Sequence, residues 1–173
     1  MSVALRAASA ADFAAILALN AESVHFLSAL DAPRLAALHA EAALHLVACS
    51  GAEIAAFLLA FREGAAYDSE NYRWFAARYA RFLYVDRVVV SAAQRGQRIG
   101  ERLYAALFEH TRSSGVATVV CEYDLDPPNP VSQRFHAKHG FREVGTQHVA
   151  GGKKRVSMQA LELASVPQRD AEK

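Results

Sequence analysis

Apolar positions along the chain follow two rhythms, and the changes between them mark the elements. VALRAAS, from Val3 to Ser9, reads as a short opening strand. Ser9 or Asp12 then caps a helix whose apolar positions Phe13, Ile16, Leu17 and Val24 recur at helical spacing. APRLAALHAEAAL restarts a helix after Pro33. LHLVACS and EIAAFLLAFRE read as two strands joined through Ser50, Gly51 and Ala52, a hairpin signal. FLYVDRVVV is the clearest strand, and the helix from Ile99 to Ser114 ends at Gly115. VATVVCEY is apolar on both faces and so belongs in the middle of a sheet. After the loop DLDPPNP, VSQRFHAKHGF makes a short helix ended by Gly140. FREVGTQHVA and KKRVSMQALEL alternate as an antiparallel pair around Gly151 and Gly152.

One stretch breaks the pattern. EGAAYDSENYRWFAARYAR, from Glu63 to Arg81, gathers three of the six tyrosines, the only tryptophan and several charges between two strands. It predicts one helical piece near Asn71 to Tyr79, and Tyr67, Tyr72 and Trp74 are candidates to meet a substrate. The alternative is an amphipathic helix that packs Trp74 and Phe75 on the core.

Composition narrows the class without naming a function. A chain of 173 residues, 53% apolar and 21% charged, suits one domain over 1–163 with a frayed tail over 164–173. The formal net charge of +1, without a basic stripe carrying aromatics, gives no reason to expect nucleic acid as a partner. No apolar run is long enough to predict a membrane span. Arg6, Asp12 and Glu22 interrupt the N-terminal apolar stretch, which a secretory signal would avoid. Cys49 and Cys121 lie in strand-like runs and read as buried thiols, so a cytoplasmic setting is expected.

The chemistry concentrates where FLYVDRVVV gives way to the helix at Ile99, through a turn holding Arg95, Gly96, Arg98 and Gly100. A helix N-terminus has unpaired N–H groups and partial positive charge, so a basic, glycine-bearing turn there suits a phosphate. A mononucleotide loop would require Gly-Lys-Ser or Gly-Lys-Thr, and a dinucleotide loop two glycines one residue apart. The turn has neither.

The segment Arg95-Gly96-Gln97-Arg98-Ile99-Gly100 instead resembles the coenzyme-A turn of the GNAT superfamily of acetyl-CoA-dependent N-acetyltransferases, Gln/Arg-x-x-Gly-x-Gly/Ala, with Arg98 where the family most often has its first glycine. A second stretch, NPVSQRFHAKHGF, is similar to the family's downstream motif, with Asn129, Ser132, Phe135, Gly140 and Phe141 at matching positions. The two motifs cover Phe82 to Val144, and the order of elements extends the likeness from Val3 to Leu163.

The resemblance implies an α+β, three-layer fold: a mixed, mostly antiparallel sheet flanked by helices, with one strand pair splayed at the coenzyme site. It implies acetyl-CoA as co-substrate and an amine as acceptor, requires no metal, and leaves homodimerisation open. The backbones of Val88, Val89 and Val90 would pair with pantetheine, although their side chains read equally as core. The amides of Arg95, Gly96, Gln97, Arg98, Ile99, Gly100 and Glu101 would hold the pyrophosphate. Asn129 would contact the coenzyme or cap its own helix, and Ser132 and Phe135 would lie on the coenzyme side. Asp86, on the strand face shared with Val88 and Val90, or Glu122 on the adjacent strand would deprotonate the amine; each reads equally as salt-bridged or solvated. Where many members of the family place a tyrosine close to the coenzyme sulfur, this chain has His136. Either His136 assists the leaving thiolate or water does, and the bland alternative is a surface histidine. A module that binds acyl-CoA without turnover is the competing function.

Overall fold

The computed structural model describes residues 3–164. Seven strands form one sheet: β1 (Val3–Ala7), β2 (Leu44–Ser50), β3 (Glu53–Arg62), β4 (Leu83–Val90), β5 (Thr118–Asp126), β6 (Arg142–Val149) and β7 (Lys154–Glu162). Their order across the sheet is β1-β2-β3-β4-β5-β7-β6. Every neighbouring pair is antiparallel except β4 and β5. Five helices accompany them: α1 (Phe13–Ala21), α2 (Ala32–Glu41), α3 (Glu70–Ala76), α4 (Ile99–Ser113) and α5 (Pro130–Lys138). This is the expected α+β architecture.

Strand alternation builds the layers. On β3, Ala56, Leu58 and Ala60 face Ile99, Leu103 and Leu107 of α4. Phe57 faces Ile16 and Leu19 of α1 with Leu35 of α2, and Leu59 and Phe61 face Tyr72 and Phe75 of α3. The sheet therefore lies between an α4 layer and a layer of α1, α2 and α3. Cys49 and Cys121 are free thiols.

Local details differ from the sequence expectation at element ends. Helix α1 stops at Ala21, and Val24 stands 46% exposed in the turn beyond it. The tyrosine-rich insertion holds only seven helical residues, capped by the Ser69 side chain accepting from the Tyr72 amide. Strand β5 runs on to Asp126, because β7 keeps pairing with it as far as Arg155. The expected tail, apart from Ala164, lies outside the described residues. Among the described residues, no helix is long and apolar enough to cross a membrane.

Candidate active site

The site begins where β4 and β5 part. The two parallel strands pair only at Leu83 with Val119 and Tyr84 with Val120. Beyond these pairs they diverge, and a cleft of about 1220 Å³ opens, lined by Val85–Val90 on one side and Cys121–Asp124 on the other. On its far edge β4 keeps its ladder, with Val88, Val89 and Val90 opposite Leu58, Phe57 and Ala56 of β3. Its near edge has no strand partner here, so backbone groups of Val88–Val90 are left to a ligand in the cleft.

A bulge sits within β4. Leu59 pairs with Arg87 and the next residue, Ala60, with Val85, so Asp86 is the extra residue. Leu83 and Val85 face α4, and so do Val88 and Val90, while Tyr84 and Val89 face the opposite layer. Simple alternation put Asp86 on the face of Val88 and Val90; the bulge overturns that and turns it beside Arg87. The Asp86 carboxylate accepts from Arg87 Nε at 2.5 Å and from the Tyr67 hydroxyl. Arg87, 4% exposed, also donates to Asn20 Oδ1 at 2.8 Å and Ser28 Oγ at 3.2 Å. Asp86 is thus fully engaged in an ion pair that anchors the turn after α1, and it is not the free base it was a candidate to be.

At the end of β4, one short helical turn, Ala92–Gln94, leads into the basic turn. Gly96 has φ 80° and Arg98 has φ 59°, both in the left-handed region. Glycine enters that region freely and arginine does not, so the backbone at position 98 is one that glycine would suit better. Arg98 N-caps α4 and turns its side chain aside, Nε donating to Glu101 at 2.8 Å. Among the described residues, the amides from Gly96 to Glu101 have no acceptor. This row of orphan donors at the start of a fifteen-residue helix fits a pyrophosphate. Gln97 is the exception among the coenzyme candidates: its side chain bonds Gln94 and it does not line the cleft. Opposite the turn, Phe135 approaches Gly100, where a Cβ would lie 3.4 Å from its ring. Asn129 caps α5, accepting from the Ser132 amide at 3.1 Å, and both residues line the cleft.

Glu122 is the carboxylate with unspent capacity. By strand alternation it faces the α3 layer, where its Oε1 accepts from the Tyr84 hydroxyl at 3.0 Å and from Asn71 Nδ2 at 2.9 Å. Gln147 in turn donates to Asn71 Oδ1 at 3.0 Å. Oε2 is shielded from solvent and has no partner among the described residues. Burial, and then the charge of Asp86, push the carboxyl up to about 8. The sequence marked Glu122 but not Tyr84, Asn71 and Gln147, which come from three separate elements.

His136 is 4% exposed and so not a surface histidine, although it contributes to the cleft lining. Its Nδ1 lies 2.8 Å from the Ser132 carbonyl oxygen, which can only accept, so Nδ1 carries the proton. Nε2 is then bare and accepts from the buried Tyr104 hydroxyl at 2.8 Å. Burial holds the imidazole down to about 4. With its one N–H spent on Ser132, His136 cannot protonate a leaving thiolate, and that expectation is corrected. Tyr123, one residue after Glu122, faces the opposite layer, lines the cleft and stacks on His136 at 6.1 Å between ring centroids. Alternation along β5 was the signal that could have found it.

The three aromatic candidates separate. Tyr67 lines the cleft, stacked on Phe61 with its hydroxyl on Asp86. Tyr72 does not: its hydroxyl donates to the Arg62 carbonyl at 2.7 Å and accepts from the Ala65 amide at 2.9 Å, closing the loop before α3. Trp74 packs on β6, where a Cβ on Gly145 would fall 2.6 Å from its ring, and Arg78 covers its other face. Both are structural, because an aromatic helix this short must bury its own rings to hold. Among the described residues, no cluster of three or more His, Cys, Asp or Glu is placed to hold a metal.

Comparison with known proteins bears on the family and the fold. The model of the acetyltransferase (GNAT) family matches residues 11–141. Glucosamine 6-phosphate N-acetyltransferase 1 of Oryza sativa subsp. japonica is 39% identical over 75 residues, covering 43% of this chain and 42% of that protein. Phosphinothricin N-acetyltransferase of Streptomyces coelicolor is 37% identical over 73 residues, covering 38% of this chain and 37% of its own. The chain thus spans about two-fifths of the length of these curated relatives. In fold, it superposes on a Salmonella typhimurium protein solved with its cofactor acetyl-CoA, at TM-score 0.72 and 19% identity over 99% of this chain and all of the other.

Proposed function

Because the chain belongs to the acetyltransferase (GNAT) family, we propose that it transfers an acetyl group from acetyl-CoA directly to a primary amine with both bound together, in one domain over 1–163. One observation carries this reading: the splayed strands join a row of orphan amides at one end of the cleft to a shielded carboxylate across it.

Acetyl-CoA would supply the acetyl group, activated as a thioester, and a thiolate that can depart. The amides from Gly96 to Glu101 would bind its pyrophosphate, strengthened by the α4 dipole and the exposed Arg95. The unpaired edge of β4 at Val88–Val90 would align the pantetheine, and one of its N–H groups would stabilise charge growing on the acetyl oxygen. Phe135 and Ser132 would close the coenzyme side. On the other side of the sheet, Glu122 would take a proton from the acceptor ammonium, leaving the nitrogen lone pair free to attack. Its raised proton affinity suits that task near neutrality, and Tyr84 and Asn71 fix the oxygen that does not react. Tyr123 is the phenol facing the coenzyme layer, able to donate to the departing sulfur. A cytoplasmic setting with acetyl-CoA and an amine as partners accords with this chemistry.

The test is calorimetric titration with acetyl-CoA beside thiol release over a panel of primary amines. Binding and amine-dependent release are expected together. Binding without release on any amine would support a silent acyl-CoA-binding module instead, and no binding would remove the site.

A further inference from the structure

Resting on that acetyltransferase reading, the geometry points to the acceptor class: a primary amine borne on an uncharged apolar body, of the arylalkylamine kind, rather than an amino acid or an amino-sugar phosphate. The side of the cleft away from α4 carries the argument. Its outer wall is the turn between α1 and α2, which Arg87 ties down through Asn20 and Ser28, and Lys154 through the His25 carbonyl at 3.2 Å. That turn presents Val24 and Phe26, each 46% exposed, to the cleft. Large apolar side chains left in water on a tethered wall suit an apolar ligand.

Charge on the same wall gives the second observation. Among the described residues its three cations are each paired within the chain: Arg34 with Asp68, Arg87 with Asp86, and Lys154 with Asp124 at 3.1 Å. Among the described residues, a carboxylate or phosphate on the acceptor would therefore have to compete with an acid already in place, a shielded one at Arg87 and Lys154 and the exposed Asp68 at Arg34. Acceptor capacity remains instead, since among the described residues Glu122 Oε2 has no partner and exposed Glu70 borders the cleft. An ammonium is welcomed where an anion is not.

The experiment is steady-state kinetics with 2-phenylethylamine, phenylalaninamide, L-phenylalanine and glucosamine 6-phosphate. Phenylalaninamide and L-phenylalanine share one body and differ in the carboxylate. The two acceptors without an anionic group should exceed the other two in kcat/KM by roughly a hundredfold. Phe26→Ser, on an exposed side chain, should raise KM for 2-phenylethylamine roughly five- to tenfold and leave KM for acetyl-CoA unchanged. Asp68→Asn should release Arg34 and improve turnover of L-phenylalanine. Equal or better use of the anionic acceptors, or a Phe26→Ser variant with parental KM, overturns the assignment. So does an enzyme that binds acetyl-CoA but turns over none of the four. Failure to bind acetyl-CoA at all would instead overturn the acetyltransferase reading, and the acceptor class with it.

Discussion

Glu122→Gln separates what a shielded acid does for catalysis from what it costs the fold. In the folded chain the carboxyl keeps its proton up to about 8, against an ordinary value of 4.5. The folded state thus binds this proton more tightly than the unfolded state. Its contribution is full below 4.5 and is lost as pH rises towards 8. A difference of roughly 3.5 pH units at about 1.36 kcal/mol each sets a ceiling of roughly 5 kcal/mol, and water reaching the open cleft lowers it to about 2–3 kcal/mol. Glutamine mimics the protonated acid: its oxygen keeps the bonds from Tyr84 and Asn71, and its amide takes the unpartnered Oε2 position. The variant should therefore escape the alkaline loss. Thermal melts of both proteins from pH 5 to 9 should show its Tm advantage widening by roughly 5–10 °C, at about 2–4 °C per kcal/mol for this size. Parental kcat/KM should rise roughly tenfold from pH 7 to 9 as the base ionises, a limb that Glu122→Gln removes together with most activity. Parallel melting curves, or an unchanged rate profile, would refute a neutral, shielded acid at 122.

The backbone of the basic turn allows a cleaner test than its side chains: Gly100→Pro deletes one orphan amide at the second position of α4, where no intrahelical bond is lost, so acetyl-CoA affinity should collapse in calorimetry while Tm stays near parental. His136→Phe should leave the pH dependence of kcat unchanged but destabilise by about 1–3 kcal/mol in urea melts, because the Tyr104 hydroxyl loses its acceptor. His45, buried with Nε2 unpartnered among the described residues and Nδ1 2.8 Å from the His39 ring nitrogen, is held down to about 4 by burial first and His39 second. A lowered histidine contributes stability that is full above its unfolded value of 6.5 and lost as pH falls towards 4; His45→Leu should flatten that acid limb in denaturant midpoints between pH 7 and 4.5.

Periodicity carried the fold because most strands are long and two-faced: the alternation of β3 reports both layers at once. The anion turn was legible for a similar reason, since its glycines and arginines answer local demands of backbone conformation and charge. Side-chain roles were less so. Asp86 was placed on the wrong face because a bulge adds a residue without changing composition. His136 was assigned by its position in a motif, while its hydrogen bonds come from Ser132 one turn earlier and from Tyr104, thirty-two residues away. Tyr72 and Trp74 looked like a binding surface because tyrosine and tryptophan serve equally well as the core of a helix too short to have another. The network around Glu122 spans β4, β5, β6 and α3, and no local pattern announces such a meeting.

The extra residue in β4 also means that the strand runs at two phases. Up to Val85 the odd positions face α4; from Arg87 onward the even positions do. Replacing Asp86 would remove a charge, whereas deleting it would restore a single phase and leave every downstream face as it is, because Arg87 would then follow Val85 directly against Leu59 and Ala60. Val88 and Val90 would stay in the α4 layer and Val89 in the opposite one, while the ion pair with Arg87 and the added local twist of the bulge would be lost. A strand lacking the extra residue would therefore present the same faces on either side of it, and homologous strands of that kind should align here only when a gap is placed opposite position 86.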